Sequence, residues 1–347
     1  MNQALITQSV YGTTPEGEQV DLYTLKNENG MQVDIITFGG IITALKVPNR
    51  DQQFENVVLG YKTLEPYLTN PTFLGAIIGR YGNRIANGKF SLQGEEFTLA
   101  TNNGPNCLHG GNKGFDKVIW KAEPIKQHDN IALKLSYVSK DMEEGFPGNL
   151  NVTVVYTLTF DNALMVSYEA TTDKTTLVNL TQHSYFNLSA NLSKPITDQT
   201  VMINADAYLP VDKDAIPIGT ITPVTDTPFD FTTPKRVGEE IDAEHEQIKK
   251  GSGYDHCWVL NHQNDGVHLV ASVFDPSSGR FMEVFTDEPG IQFYTANFLD
   301  KPYAPRVALC LETQHYPDSP NKEAFPSTVL NPGDIYKSHT TFKFSTK

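Results

Sequence analysis

Two-residue alternation of apolar and polar side chains runs through most of this sequence, and it constrains the fold before any single residue is considered. Residues 19–25, 31–38, 131–138, 152–160, 164–170, 267–274, 281–286 and 291–296 are rich in Val, Ile, Thr, Tyr and Phe. In each, every second side chain falls on one face, the signature of a strand with one side buried. Turn formers separate them, among them Asn27-Glu28-Asn29-Gly30, Pro147-Gly148-Asn149 and Pro276-Ser277-Ser278-Gly279. Asp161-Asn162 joins two strands so closely that a tight hairpin is expected. Helical spacing is scarce. The spacing of Val237, Ile241 and Ile248 predicts a helix over 237–249 with Gly251 as its stop, and a second short one is expected at 63–68. An α/β fold needs helices between its strands, and they are missing. The expected class is all-β, one large antiparallel domain of two or more packed sheets with few short helices.

The chain has 347 residues, with no composition shift, linker or internal repeat, so 1–347 is expected to form one domain able to bury a large core without staples. Lys and Arg total 27 against 41 Asp and Glu, a formal net charge of −14 with no basic run. Nucleic acid and anionic membrane are therefore not expected partners. No apolar run approaches the ~20 residues of a spanning helix, and the first seven residues lack the charge-then-apolar pattern of a secretory signal. Cys107, Cys257 and Cys310 are odd in number, far apart and form no Cys-x-x-Cys pair. They fit reduced thiols in the cytoplasm better than a disulfide framework or a zinc site.

Phosphate-loop, dinucleotide, nucleophile-elbow and zinc-helix patterns are all missing, and no metal or other cofactor is expected. What remains is a set of dense polar stretches between strands. His183 stands among Leu180, Tyr185, Phe186 and Leu188. Read alone, it is either a hydrogen-bonded core residue or a general acid or base, since imidazole titrates near neutrality. Arg80 and Arg84 share one Gly-punctuated loop with Asn83 and Asn87. Their guanidinium groups suit hydroxyl or carboxylate recognition, or they tie the loop down through buried carbonyls. His109 precedes Gly110-Gly111, and Asp255 lies in a row of aromatics. Glu312 follows the apolar alternation of Val307, Leu309 and Leu311; if buried, its pKa rises toward that of a useful general base.

Asn83-Arg84, His109-Gly110-Gly111, Thr181-Gln182-His183-Ser184-Tyr185-Phe186-Asn187-Leu188, Tyr254-Asp255-His256, Gln292-Phe293-Tyr294 and Leu311-Glu312-Thr313-Gln314 follow one another in an order that resembles the galactose mutarotase (aldose 1-epimerase) family. Phe146-Pro147-Gly148-Asn149, Tyr208-Leu209-Pro210-Val211 and Pro317-Asp318-Ser319-Pro320-Asn321 are similar to that family too, so the likeness covers nearly the whole chain. The resemblance implies a β-sandwich with the sugar in an open cleft, and an isomerase of aldohexoses such as galactose and glucose that needs no cofactor. It implies His183 as the general acid at the ring oxygen and Glu312 as the general base at the C1 hydroxyl. Asn83, Arg84, His109, Asp255 and Gln292 are implied as the residues that hold the sugar. A monomer or homodimer is expected. Residues 301–308 are shorter than the loop many relatives carry there, and this segment is a candidate border of the cleft. A sugar-binding module without catalysis, a sugar-phosphate enzyme and a glycosidase are the competing classes; a glycosidase normally needs two carboxylates.

Overall fold

The computed structural model describes residues 4–69, 72–127, 130–261 and 266–347. Three sheets dominate, and their strands pair antiparallel. The largest has nine strands in the order Lys121–Gln127, Asn130–Ser139, Leu150–Leu158, Ala163–Thr172, Tyr336–Thr346, Arg280–Thr286, His268–Phe274, Thr200–Ile203 and Lys235–Arg236. A five-stranded sheet is built in chain order from Leu5–Thr13, Gln19–Lys26, Gln32–Ile36, Ile42–Pro48 and Phe54–Asn56. The third, also of five strands, runs Thr222–Pro223, Ala207–Leu209, Asp255–Val259, Gly290–Tyr294, Cys310–Gln314.

The expected strands are present, because alternation works as physics and not only as statistics. In Leu150–Leu158 the side chains of Leu150, Val152, Val154, Tyr156 and Leu158 are buried, while the residues between them face outward or partly so. The hairpin at Asp161-Asn162 pairs Leu158 with Leu164, and Asn162 supplies the left-handed turn residue. Leu25, Val33, Leu45, Val154, Trp258, Phe293 and Leu311, drawn from all three sheets, fall in one contiguous buried cluster. The architecture is all-β, as the alternation predicts.

The helix expected over 237–249 is not continuous. Val237–Glu239 is a single 3-10 turn and Glu246–Gly251 a short α-helix, with His245 extended between them. The Nδ1 atom of His245 accepts from the Gln247 N–H and caps the second piece. Arg306 holds Asp242 of the intervening stretch from outside. Val237, Ile241 and Ile248 all reach the core, but from the 3-10 turn, the stretch after it and the short helix respectively. The short helix expected at 63–68 is reduced to Glu65–Leu68.

Candidate active site

A cleft of about 560 Å³ opens over the third sheet. Asn83, Arg84, His109, His183, Asp255 and Glu312 all line it. Six of the seven residues singled out in the sequence thus converge from segments far apart in the chain. The seventh, Gln292, is not among the lining residues. It stands opposite Glu312 in the neighbouring strand, and its Nε2 donates to Asp255 Oδ1 at 2.7 Å.

Each group is held by backbone structure. The His183 N–H donates to the Ala76 carbonyl and its own carbonyl accepts from Gly75 N–H, both at 2.9 Å. That strap continues the short ribbon between Thr181–Gln182 and Ile77–Ile78. Glu312 lies in Cys310–Gln314, where period two puts Cys310 and Glu312 on one face and Leu311 on the other. Consistently, Leu311 joins the main core cluster and Cys310 a second one. Phe73, Asn83 and His109 line the cleft with φ of 55°, 62° and 52°. Left-handed backbone at non-glycine residues costs energy and tends to gather at functional sites. His109 Nδ1 accepts the Asn83 N–H at 3.1 Å, so these two left-handed residues brace each other.

The two Arg residues of the first polar loop take opposite roles. Arg80 is buried, and its guanidinium donates to the carbonyls of Ser139, Lys140, Pro147 and Gly148 and to the hydroxyls of Ser139 and Thr176. It ties the loop down. Arg84 reaches the cleft, with its Nε–H on Asn103 Oδ1 at 3.0 Å.

His183 Nε2 and Glu312 Oε1 are 3.6 Å apart, both side chains buried. Burial, and then the neighbouring Asp255, push the Glu312 carboxyl well above the usual range, with Arg84 opposing. Burial drives His183 down to about 4. Both shifts favour the uncharged forms, a protonated carboxyl beside a neutral imidazole, over an ion pair, so the couple shares one exchangeable proton. His109 is lowered well below its ordinary value by burial, then by His183 and Arg84. Among the described residues, Glu312 Oε2 and Gln292 Oε1 are buried with no hydrogen-bond partner, and Glu312, which lines the cleft, offers a hydroxyl-rich ligand an unpaired oxygen there.

A pH dependence of stability follows from His183. Its folded pKa lies below the unfolded value of about 6.5. Between those values the unfolded chain binds the extra proton, so stability is full above pH ~6.5 and falls as the pH drops toward 4. Urea unfolding midpoints against pH should slope less steeply in His183→Asn over that window. His109 and His256, also lowered by burial, keep part of the slope.

His109, His183 and Glu312 place one ligand atom each within 4.8 Å of one another, a spacing that invites a metal ion. The bonding of His109 argues against one. Its Nδ1 lone pair is taken by the Asn83 N–H, so the neutral ring carries its proton on Nε2 and keeps no open lone pair. The trio fits a polar organic ligand better than a cation.

The sequence profile of the family described as Aldose 1-epimerase matches residues 21–343. The chain belongs to the aldose 1-epimerase family. It is 43% identical over 349 residues to a rat (Rattus norvegicus) protein named galactose mutarotase, covering 98% of both chains. It is 39% identical over 339 residues to the aldose 1-epimerase of Escherichia coli K12, with 95% and 96% covered. A solved structure of galactose 1-epimerase from Lactobacillus acidophilus superposes with a TM-score of 0.88 at 27% identity, covering 99% of both chains.

Several contacts of this family member lie beyond the sequence reading. The ring of Phe73 packs on His109 at 4.6 Å and on His183 at 6.1 Å between centroids, and Tyr185 stacks on His183 at 4.9 Å. The exposed Phe298 stands at the rim, stacked on Tyr294. Residues 301–308 do not line the cleft. Tyr303 instead donates its hydroxyl to the Gly60 carbonyl at 2.6 Å, and Arg306 pairs with Asp242. Packing of this short loop against neighbouring loops draws it away from the position expected of it.

Proposed function

We propose that this chain is an aldose 1-epimerase, interconverting the α and β anomers of aldohexoses such as galactose and glucose. The observation that carries this reading is the buried imidazole and carboxyl, 3.6 Å apart, on the wall of a cleft large enough for a pyranose. Its family membership supports the same reading.

Ring opening takes a proton from the C1 hydroxyl and delivers one to the ring oxygen. Glu312, as the carboxylate, accepts the first, and His183, as the imidazolium, gives up the second from Nε2. The C1–O5 bond breaks with its electron pair going to O5, while O1 forms a double bond to C1. Rotation about C1–C2 turns the aldehyde over, and closure runs both transfers backward. The couple carries one exchangeable proton before and after, so no proton need be traded with water. With that proton on Glu312, the couple is set for closure. Passing it to His183 sets it for opening, and sugar hydroxyls donating to the carboxylate favour that transfer.

Asn83, Arg84 and Asp255 hold the ring hydroxyls in this reading, and Gln292 orients Asp255. His109, neutral, offers an Nε2–H donor near the ring oxygen without setting a second cation beside His183. Arg84→Ala is therefore expected to raise KM about 10-fold or more, the effect of losing a charge-assisted hydrogen bond, with stability within about 1 kcal/mol. Arg80→Ala leaves buried carbonyls unpaired and should cost on the order of 3 kcal/mol in urea unfolding. Equal effects of the two changes on KM and stability would refute the division of labour.

Polarimetry of freshly dissolved α-D-galactose and α-D-glucose tests the activity. The reading requires acceleration well beyond buffer. Sugar binding by calorimetry without acceleration would make this a binding module instead, and tighter competition by hexose 6-phosphates would point to a sugar-phosphate enzyme. We further propose that the whole chain is one domain, a β-sandwich acting as a monomer or homodimer, because all three sheets share a core. The three buried free thiols suit the cytoplasm.

A further inference from the structure

His183 has two ring nitrogens, and each faces a side chain of the same strand. Nε2 faces Glu312 Oε1 at 3.6 Å, and Nδ1 faces the Cys310 sulfur at 3.5 Å. Cys310 and Glu312 are two residues apart in Cys310–Gln314, so period two aims both at one imidazole. We propose that Cys310 is a positioning residue: its sulfur accepts the His183 Nδ1–H and keeps Nε2 as the nitrogen that exchanges a proton with Glu312 and the ring oxygen. This inference rests on the epimerase reading above.

The direction of that hydrogen bond follows from the chemistry on each side. An N–H is a stronger donor than an S–H, and a thiol sulfur is a weak acceptor, so a buried Nδ1–H finds a partner here while Nε2 stays bare. Cys310 stays a thiol, because burial, Glu312 and Asp255 all push its pKa well above the ordinary value. A neutral sulfur therefore orients the ring without locking it as a cation, as a carboxylate at the same place would. The other ionisable groups around the ring are His109 across the cleft and Tyr185, whose own pKa is pushed far up by burial. Arg84 and Asp255 line the same cleft. None of these is paired with Nδ1.

The decisive measurement is the histidine ¹⁵N NMR spectrum of the whole protein near pH 7, with the His183 signals assigned by their loss in His183→Asn. The expected result is a protonated Nδ1 and a bare Nε2. In Cys310→Ala the two tautomers should mix, and kcat should fall about 5- to 10-fold, the worth of one ordinary hydrogen bond, with KM within twofold. Cys310→Ser, which restores an acceptor, should recover most of kcat and a mainly Nδ1-protonated ring. A wild-type spectrum with the proton on Nε2, or a Cys310→Ala enzyme with unchanged tautomer and kcat, would overturn the proposal. The wild-type spectrum needs no turnover, and its His183 signals can be assigned through bonds should His183→Asn fail to fold. A protein that fails to accelerate mutarotation at all would thus defeat the epimerase reading separately from this one.

Discussion

Glu312→Gln is expected to lower kcat for anomer interconversion by about 10²–10⁴-fold, the range a general base supplies, with a smaller change in KM. Glutamine keeps the volume and one carbonyl acceptor but cannot take the C1 hydroxyl proton. The same change should leave the protein as stable as the parent at pH 7, or more so. Burial and Asp255 raise the folded pKa of Glu312 above its unfolded value. The stability linked to such a group is full below the unfolded pKa and is lost as pH rises toward the folded one. At neutral pH the amide avoids that loss. Polarimetric progress curves and urea unfolding at pH 7 check the two halves together. A variant turning over at near the parental rate would remove Glu312 from the reaction, whatever its stability.

His183→Asn should lose activity on the same scale, about 10²–10⁴-fold in kcat, because His109, held well below its ordinary pKa by burial, can donate a hydrogen bond to the ring oxygen but does not replace the imidazolium as the acid. The double variant with Glu312→Gln is the sharper test. Opening and closure use the imidazole and the carboxyl in one concerted exchange, so removing both should cost little more than the worse single change. Polarimetry on all four proteins gives the comparison. Multiplying losses would mean that the two groups act in separate steps and that the shared proton is a wrong description.

The fold was readable wherever one strand face is wet and the other dry. Ala163–Thr172 extends the expected 164–170 by one residue and two at its ends, and Leu150–Leu158 lies two residues N-terminal of the expected 152–160. Where that contrast vanishes, the reading fails. All five residues of Cys310–Gln314 are buried, so the strand that carries the carboxyl has no wet face of its own and only the alternation of Val307, Leu309 and Leu311 leads into it. Leu5–Thr13 is largely exposed on both faces, and Lys121–Gln127 carries Pro124 at the edge of its sheet. The break in 237–249 comes from a side-chain cap and an ion pair to a residue some sixty positions away, neither visible in a spacing pattern.

The site divides the same way. His183 and Glu312 stood out because a His among aromatics and a Glu ending an apolar run are locally odd. Arg80 and Arg84 could not be told apart by type or setting, since only the carbonyls of Ser139, Lys140, Pro147 and Gly148, brought in from two other strands' ends, make one of them structural. Gln292 was recognisable as a polar residue of the site but not as a residue behind Asp255, which depends on strand register. Phe73 gives no local signal at all; its left-handed backbone and its two histidine neighbours are products of tertiary packing. The link between Cys310 and His183 was in principle legible, because strand periodicity already sets residues 310 and 312 on one side.

The stretch Tyr336–Thr346 is inserted between Ala163–Thr172 and Arg280–Thr286, near the middle of the nine-stranded sheet. During synthesis, everything N-terminal to it can emerge from the ribosome while the halves of that sheet still present two raw edges to each other and to other nascent chains. Exposed edges of this kind invite pairing between molecules. The long sequence separation of the final contacts also makes closure slow. A truncation just before Tyr336 would keep every cleft residue named above yet be expected to accumulate as aggregate. For the nine-stranded sheet, the strand translated after all its neighbours acts as the keystone.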